Sequence, residues 1–261
     1  MSTVTPQDTA GWTPADGWSP REAPRPPRPR RYGVLKALGA AFTAVLVLGG
    51  AASMVPEMVE RSEVTEIAWP EWGEGVEIAR TNGDVLVSEG EPGVRLATRS
   101  AFVTPEHEVS RTASDDVQLS MQCGGGFFQR CVGDWDVVVP EGGPVTIGGS
   151  VGDVGVVDVS GDLTLRTSVG DIRVQESSSQ DLDLTSSVGD IRVELSEAPR
   201  MLRATGSVGD ITVVVPAGVA YDVRTTTAGA GEAIVDVDED ATSEHVLDLR
   251  TSVGTIRVTN G

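Results

Sequence analysis

A seven-residue phrase returns through the second half of this chain at a nearly fixed interval. It reads Ser168-Val169-Gly170-Asp171-Ile172-Arg173-Val174, then Ser187-Val188-Gly189-Asp190-Ile191-Arg192-Val193, Ser207-Val208-Gly209-Asp210-Ile211-Thr212-Val213 and Ser252-Val253-Gly254-Thr255-Ile256-Arg257-Val258. Looser copies stand at 150–156 and 131–137, and degenerate ones at 82–87 and 230–233. Asp134, Asp153, Asp171, Asp190 and Asp210 are 19, 18, 19 and 20 residues apart, and Glu232 and Thr255 follow at 22 and 23. A unit of this length cannot bury its own apolar face, whereas stacked units can.

Within each copy the apolar residues alternate. Leu163, Leu182, Leu202 and Leu247 stand eight positions before the Asp (or Thr255), Leu165, Leu184, Ala204 and Leu249 six before, and a Val two before. After the Gly-Asp step the phase shifts to Ile172, Ile191, Ile211 and Ile256 and then to Val174, Val193, Val213 and Val258. These side chains, the Val of the phrase included, share one face only if Val-Gly-Asp makes a corner between two strands. Glycine supplies the unusual dihedrals of a corner, and aspartate closes an Asx-turn. The predicted corners are Gly133-Asp134, Gly152-Asp153, Gly170-Asp171, Gly189-Asp190, Gly209-Asp210 and Gly254-Thr255. The fold class that follows is all-β: a β-solenoid of coils of about 20 residues, two short strands per coil, seven or eight coils stacked at ~4.8 Å into a rod ~35–40 Å long. A sandwich of antiparallel hairpins is the rival, and the aligned residue ladders favour the solenoid.

Charge divides the chain in a way its net value of −19 conceals. Residues 1–36 carry six basic groups (Arg21, Arg25, Arg28, Arg30, Arg31, Lys36) against three acids, +3, and the rest carries 14 Arg against 36 acids, −22. Residues 1–33 are rich in Pro and Arg and are expected to be a disordered cytoplasmic tail. Residues 37–55 hold no charge, and nineteen residues at 1.5 Å each cover about one hydrocarbon core. The expectation is a transmembrane helix over 34–55, an uncleaved signal-anchor rather than a cleaved signal peptide because the preceding region is too long. Basic residues lie only on its N-terminal side, which places the bulk of the chain outside the cytoplasm. Residues 56–75 read as an acidic linker, with Trp69 and Trp72 capping the first coil, and 76–261 as the repeat domain. The acidity of that domain argues against nucleic acid as a partner.

The residues offer structure more readily than chemistry. The Asp ladder tempts a calcium reading, but one Asp per coil is far fewer ligands than calcium takes, and Thr255 breaks the series. Cys123 and Cys131 flank a Gly-rich loop holding Phe127-Phe128, and outside the cytoplasm they are expected to form a structural disulfide. His107 and His245 lack the spacing of a metal site. No nucleophile elbow, Ser-x-x-Lys pair or phosphate loop is present. The expectation is a protein that is not an enzyme and has no catalytic, cofactor-binding or metal-binding residues.

The Ser-Val-Gly-Asp-Ile-Arg-Val copies resemble the bacterial putative-adhesin family, also called toastrack domains, over residues 76–261 and most clearly over 145–258. The resemblance implies a β-solenoid of unknown function, no active site, and the company of membrane proteins of envelope-stress systems. The expected function is a single-pass envelope protein, anchored in the cytoplasmic membrane and presenting an adhesin-like solenoid as a binding or scaffolding surface for a protein or cell-envelope ligand. The alternative is an envelope-stress sensor that signals through the span, which deletion of residues 1–33 would silence. Open solenoid ends invite pairing, and the chain stops just after its last copy, so self-association through the ends is a further expectation.

Overall fold

Nineteen β-strands and no helix make up the described residues of the computed structural model, which are 61–70, 73–101, 105–122, 130–229 and 231–261. The tail, the apolar run at 37–55 and Cys123 lie outside the described residues, as do Trp72 and Phe127-Phe128. Among the described residues no helix is long and apolar enough to cross a membrane.

The strands are β1 (Arg61–Ile67), β2 (Val76–Asn82), β3 (Val85–Glu89), β4 (Gly93–Ala101), β5 (Glu106–Arg111), β6 (Val117–Gln122), β7 (Arg130–Val139), β8 (Val145–Val151) and β9 (Val154–Val157). They continue as β10 (Leu163–Val169), β11 (Ile172–Ser177), β12 (Asp181–Val188), β13 (Ile191–Leu195), β14 (Met201–Val208), β15 (Ile211–Val215), β16 (Asp222–Thr227), β17 (Ala233–Asp236), β18 (Val246–Val253) and β19 (Ile256–Asn260). One strand of each coil goes to each of two sheets. The first runs β1-β4-β7-β3-β9-β11-β13-β15-β19-β17 and the second β16-β18-β14-β12-β10-β8-β2-β6-β5. Like residues stack in parallel register, Leu163 on Leu182 on Leu202 on Leu247, and Ile172 on Ile191 on Ile211 on Ile256. These Leu, Ile and Val side chains are buried between the sheets as a single core. The repeat thus sets a two-strand coil whose apolar residues face inward, and stacking removes them from water at about 25 cal/mol per Å².

Stacking does not follow chain order at either end. The coil β2–β3 lies between β6–β7 and β8–β9, so a later segment covers an earlier one. At the other end β18–β19, the last copy in the chain, is inserted between β14–β15 and the degenerate coil β16–β17. The edge expected at the last copy is therefore covered, and the edge strands there are β16 and β17. The degenerate copy is suited to an end: Ala233 and Asp236 are exposed, and the surrounding chain is dense in acids (Glu232, Asp238, Glu239, Asp240), which discourages edge pairing.

Two further expectations change. Residues 61–67, read as part of the acidic linker, form β1, paired antiparallel with β4 from Arg61↔Ser100 to Ile67↔Val94. Its only apolar residues are Val64, which is 50% exposed, and Ile67, which packs against the core at the strand's end, so pairing holds most of it. Trp69 packs on the core and donates Nε1–H to Gly73 O at 3.1 Å, closing the entry to β2. The Val of the repeated phrase is not in the core: Val151, Val169, Val188, Val208 and Val253 are 47–51% exposed. The last inward position before the corner is instead a Ser, Thr or Gly, and beyond it the backbone turns outward to reach the glycine.

Candidate functional site

The predicted corner residues come together as one line along the rod. Gly83, Gly152, Gly170, Gly189, Gly209 and Gly254 all have φ between 136° and 145°, a region that favours glycine. Space is as restrictive as conformation. A Cβ on Gly170 would stand 2.0 Å from Gly152 O, and one on Gly189 2.1 Å from Gly170 O. Gly133 departs from the series: its φ is not positive, and its Cβ would meet the flexible end of Met121 at 2.5 Å.

The corner aspartates act between coils. In spatial order, the carboxylate of Asp134 accepts the N–H of Asp84 (3.1 Å) and Asp84 that of Asp153 (2.9 Å). Asp153 then accepts from Asp171, Asp171 from Asp190 and Asp190 from Asp210, all at 2.9 Å, and Asp210 accepts the N–H of Thr255 at 2.7 Å. The expected Asx-turn is thus replaced by a rung to the next coil. The absence of a carboxylate at 255 coincides with the approach to the degenerate end coil. Arg173 bridges two rungs, reaching Asp153 at 3.0 Å and Asp171 at 2.6 Å, and Arg99 pairs with Asp134 at 2.9 Å. The amide of Asp171, and then the Arg173 guanidinium, hold the Asp153 carboxyl below its ordinary value. Among the described residues no group of three or more His, Cys, Asp or Glu is placed to hold a metal ion.

A second ladder runs just inside the first. Thr167 Oγ1 donates to Gly152 O (3.3 Å), Ser186 Oγ to Gly170 O (3.0 Å) and Thr251 Oγ1 to Gly209 O (3.1 Å). The corresponding place on β14 is Gly206, without a hydroxyl. A buried Ser or Thr four residues before the Asp was visible in the sequence, but its role depends on a carbonyl in another coil. Glu89 was also missed. Burial pushes its carboxyl up, but the hydroxyl and N–H of Ser160 and the N–H of Gly142 outweigh this and hold it low, pinning two return loops to β3.

The remaining residues are scattered. Cys131 lies on β7 opposite Ser100 and is disulfide-bonded. His107 is exposed on β5. His245 Nδ1–H donates to Pro199 O at 2.8 Å, and its ring meets Tyr221 edge-on at 6.0 Å.

The outer face of the first sheet holds two adjoining concavities. Its register aligns Glu66, Arg95, Asp136, Leu86, Gly155 and Arg173 across β1, β4, β7, β3, β9 and β11. Gly155 leaves a gap where neighbouring coils carry Arg173 and Arg192. A cavity of about 420 Å³ opens there, lined by Asp84, Leu86, Arg95, Asp136, Gly155 and Arg173 among others. A second, of about 470 Å³, shares Arg95 and Asp136 and continues to Glu66 and Ile67.

Residues 61–259 match the family model described as Toastrack DUF4097. Among solved structures, the chain is similar to a putative cell adhesion protein from Clostridium sporogenes, at 14% identity over 77% of this chain and 100% of that one, with a TM-score of 0.45. It is also similar to a putative adhesin from Bacteroides fragilis, at 14% identity over 76% of this chain and 97% of that one, TM-score 0.44. No curated protein matches.

Proposed function

This chain belongs to the Toastrack family, and on that premise we propose that it is a single-pass protein of the bacterial envelope whose acidic solenoid is an adhesin-like binding or scaffolding surface. The observation that carries this reading is the pair of sheet faces, on which one rung per coil fixes rows of outward side chains in register. A backbone held this way loses little conformational entropy when a partner docks, which favours binding through a fixed face. The charge division, +3 before an uncharged 37–55 and −22 after it, supports a cytoplasmic N-terminus, a membrane helix and an extracytoplasmic rod.

Reporter fusions ending at residue 33 and at residue 75 test the topology. The expected result is cytoplasmic signal from the first and extracytoplasmic signal from the second; cytoplasmic signal from both contradicts it. Binding is tested by immobilising the full-length chain and passing envelope fractions over it. Capture that survives deletion of residues 1–33 is expected, and loss of capture with that deletion shifts the function to the tail.

A further inference from the structure

We propose that the cross-strand groove on the first sheet is a binding site for an extended basic peptide segment carrying an apolar side chain. The inference rests on the binding role proposed above and names its site and the chemistry of its partner.

Three observations carry it. The first is shape: the two cavities share Arg95 and Asp136 and so form one trough from β11 to β1. Six neighbouring strands at about 4.8 Å give a trough ~24 Å long, the reach of about seven extended residues. The second is its floor. Leu86 is 46% exposed, and Gly155 beside it has no side chain, so an apolar group can lie flat between them. The third is unspent charge. Asp134 is paired with Arg99 and Asp153 with Arg173. Glu66, Arg95 and Asp136 are register partners across β1, β4 and β7, yet no ion pair joins their side chains among the described residues. One oxygen of Asp84 is used on the amide of Asp153 and the other faces no cation.

Three acids and one base are thus left to a partner. That balance selects a ligand with more than one ammonium or guanidinium, and Arg95 suits a backbone carbonyl between them. An acidic glycan meets the wrong sign. A neutral sugar lacks its usual aromatic platform, since the aromatic residue at the trough, Trp135, is only 2% exposed.

The test titrates the full-length chain against a blocked, fluorescent heptapeptide with lysine at positions 1, 3 and 7, leucine at position 5 and serine between, so that all four face one side when extended, with its glutamate counterpart and an N-acetylglucosamine oligomer in parallel. The decisive variant is Gly155→Arg. Gly155 does not have positive φ, neighbouring coils already carry Arg at that register, and the tight contact of a new Cβ is the mobile end of Leu86 at 3.1 Å. It should fold normally and fill the trough. Binding of the lysine peptide should weaken about tenfold or more in Gly155→Arg and by a similar factor in the Asp84→Asn, Asp136→Asn double variant. An equal charge change at the far end, Asp236→Asn with Asp238→Asn, should leave it within about twofold, as screening over that distance requires.

The proposal is overturned if Gly155→Arg weakens binding no more than the far-end pair does, if the glutamate peptide binds as tightly, or if the sugar oligomer alone binds and Gly155→Arg blocks it. Repeating the envelope capture with Gly155→Arg separates the two levels. Capture that persists while peptide binding is lost removes the trough as the envelope contact and leaves the rod's binding role standing. Failure of the wild-type chain to capture anything strikes at that role, and the peptide titration still decides the trough.

Discussion

From β8 to β15 consecutive coils stack on one another in chain order, and from β1 to β7 almost none do. The regular part repeats one corner: positive-φ glycine, carboxylate rung, outward valine. The early part uses the same core positions, Val85 with Trp135 and Val87 with Val137, but its β7 also pairs antiparallel with β4, and β4 with β1. The difference separates what a solenoid requires from what it tolerates. Inward apolar residues are required everywhere. Corner chemistry is required only where another corner stacks on both sides, so Gly133, at the outermost corner, is released from positive φ.

The largest test of that distinction is a methyl group. Gly189→Ala forces a side chain into positive φ and into Gly170 O, and is expected to cost about 3–5 kcal/mol or prevent folding. Gly133→Ala, where the flexible end of Met121 must move and Leu96 must give by a few tenths of an ångström, should cost ~1–2 kcal/mol. Equal losses in denaturant midpoints would erase the distinction between inner and outer corners.

Rung removal is a smaller effect. Asp190→Ala leaves the N–H of Asp210 without its acceptor at a water-exposed corner, an expected loss of ~1 kcal/mol, and Asp190→Asn should recover much of it because the amide oxygen still accepts. If the asparagine variant is as unstable as the alanine one, charge rather than the rung is what matters there.

Acid should weaken both parts together. Asp153 in the regular part and Glu89 in the early part both have folded-state values below their ordinary 3.8 and 4.5. Their stabilisation is complete above the ordinary values and is lost as pH falls through the lower folded-state ones. Unfolding curves between about pH 5 and pH 2 should therefore steepen in the wild type and flatten in Asp153→Asn or Glu89→Gln. An acid limb that neither substitution changes would assign the pH dependence to other carboxylates.

The smallest effect is a gain. Gly206→Ser supplies the missing hydroxyl between Ser186 and Thr251, at a position whose new Cβ meets Thr251 Oγ1 at an ordinary 3.4 Å. It should add ~0.5–1 kcal/mol, partly by removing glycine's freedom from the unfolded chain. A loss would mean that β14 needs the gap.

These outcomes also mark how far the amino acids disclose the fold. The two-strand coil, its parallel ladders and its glycine corners follow from a phase shift that Leu163, Leu165, Ile172 and Val174 make visible. The outward valines were misplaced because alternation alone cannot tell where a strand leaves the core. The bond of Asp171 to the amide of Asp190 was read as a local turn, since a partner 19 residues away has no signature in the residue itself. The exchanged order at both ends was hidden for the same reason: copies that fit each other equally well carry no label of which neighbour they take. The trough depends on Gly155, an unremarkable glycine until Leu86 and Arg173 stand on either side of it.

Stacking order carries the whole account, and hydrogen exchange reads it directly. In the structure β18–β19 is an inner coil, bonded to β14–β15 on one side and β16–β17 on the other, although it closes the chain. Amides of residues 246–260 should therefore exchange at least about tenfold more slowly than those of 222–236, the coil at the rod's edge. Faster exchange at 246–260, as from a terminal coil that frays first, would contradict the exchanged order.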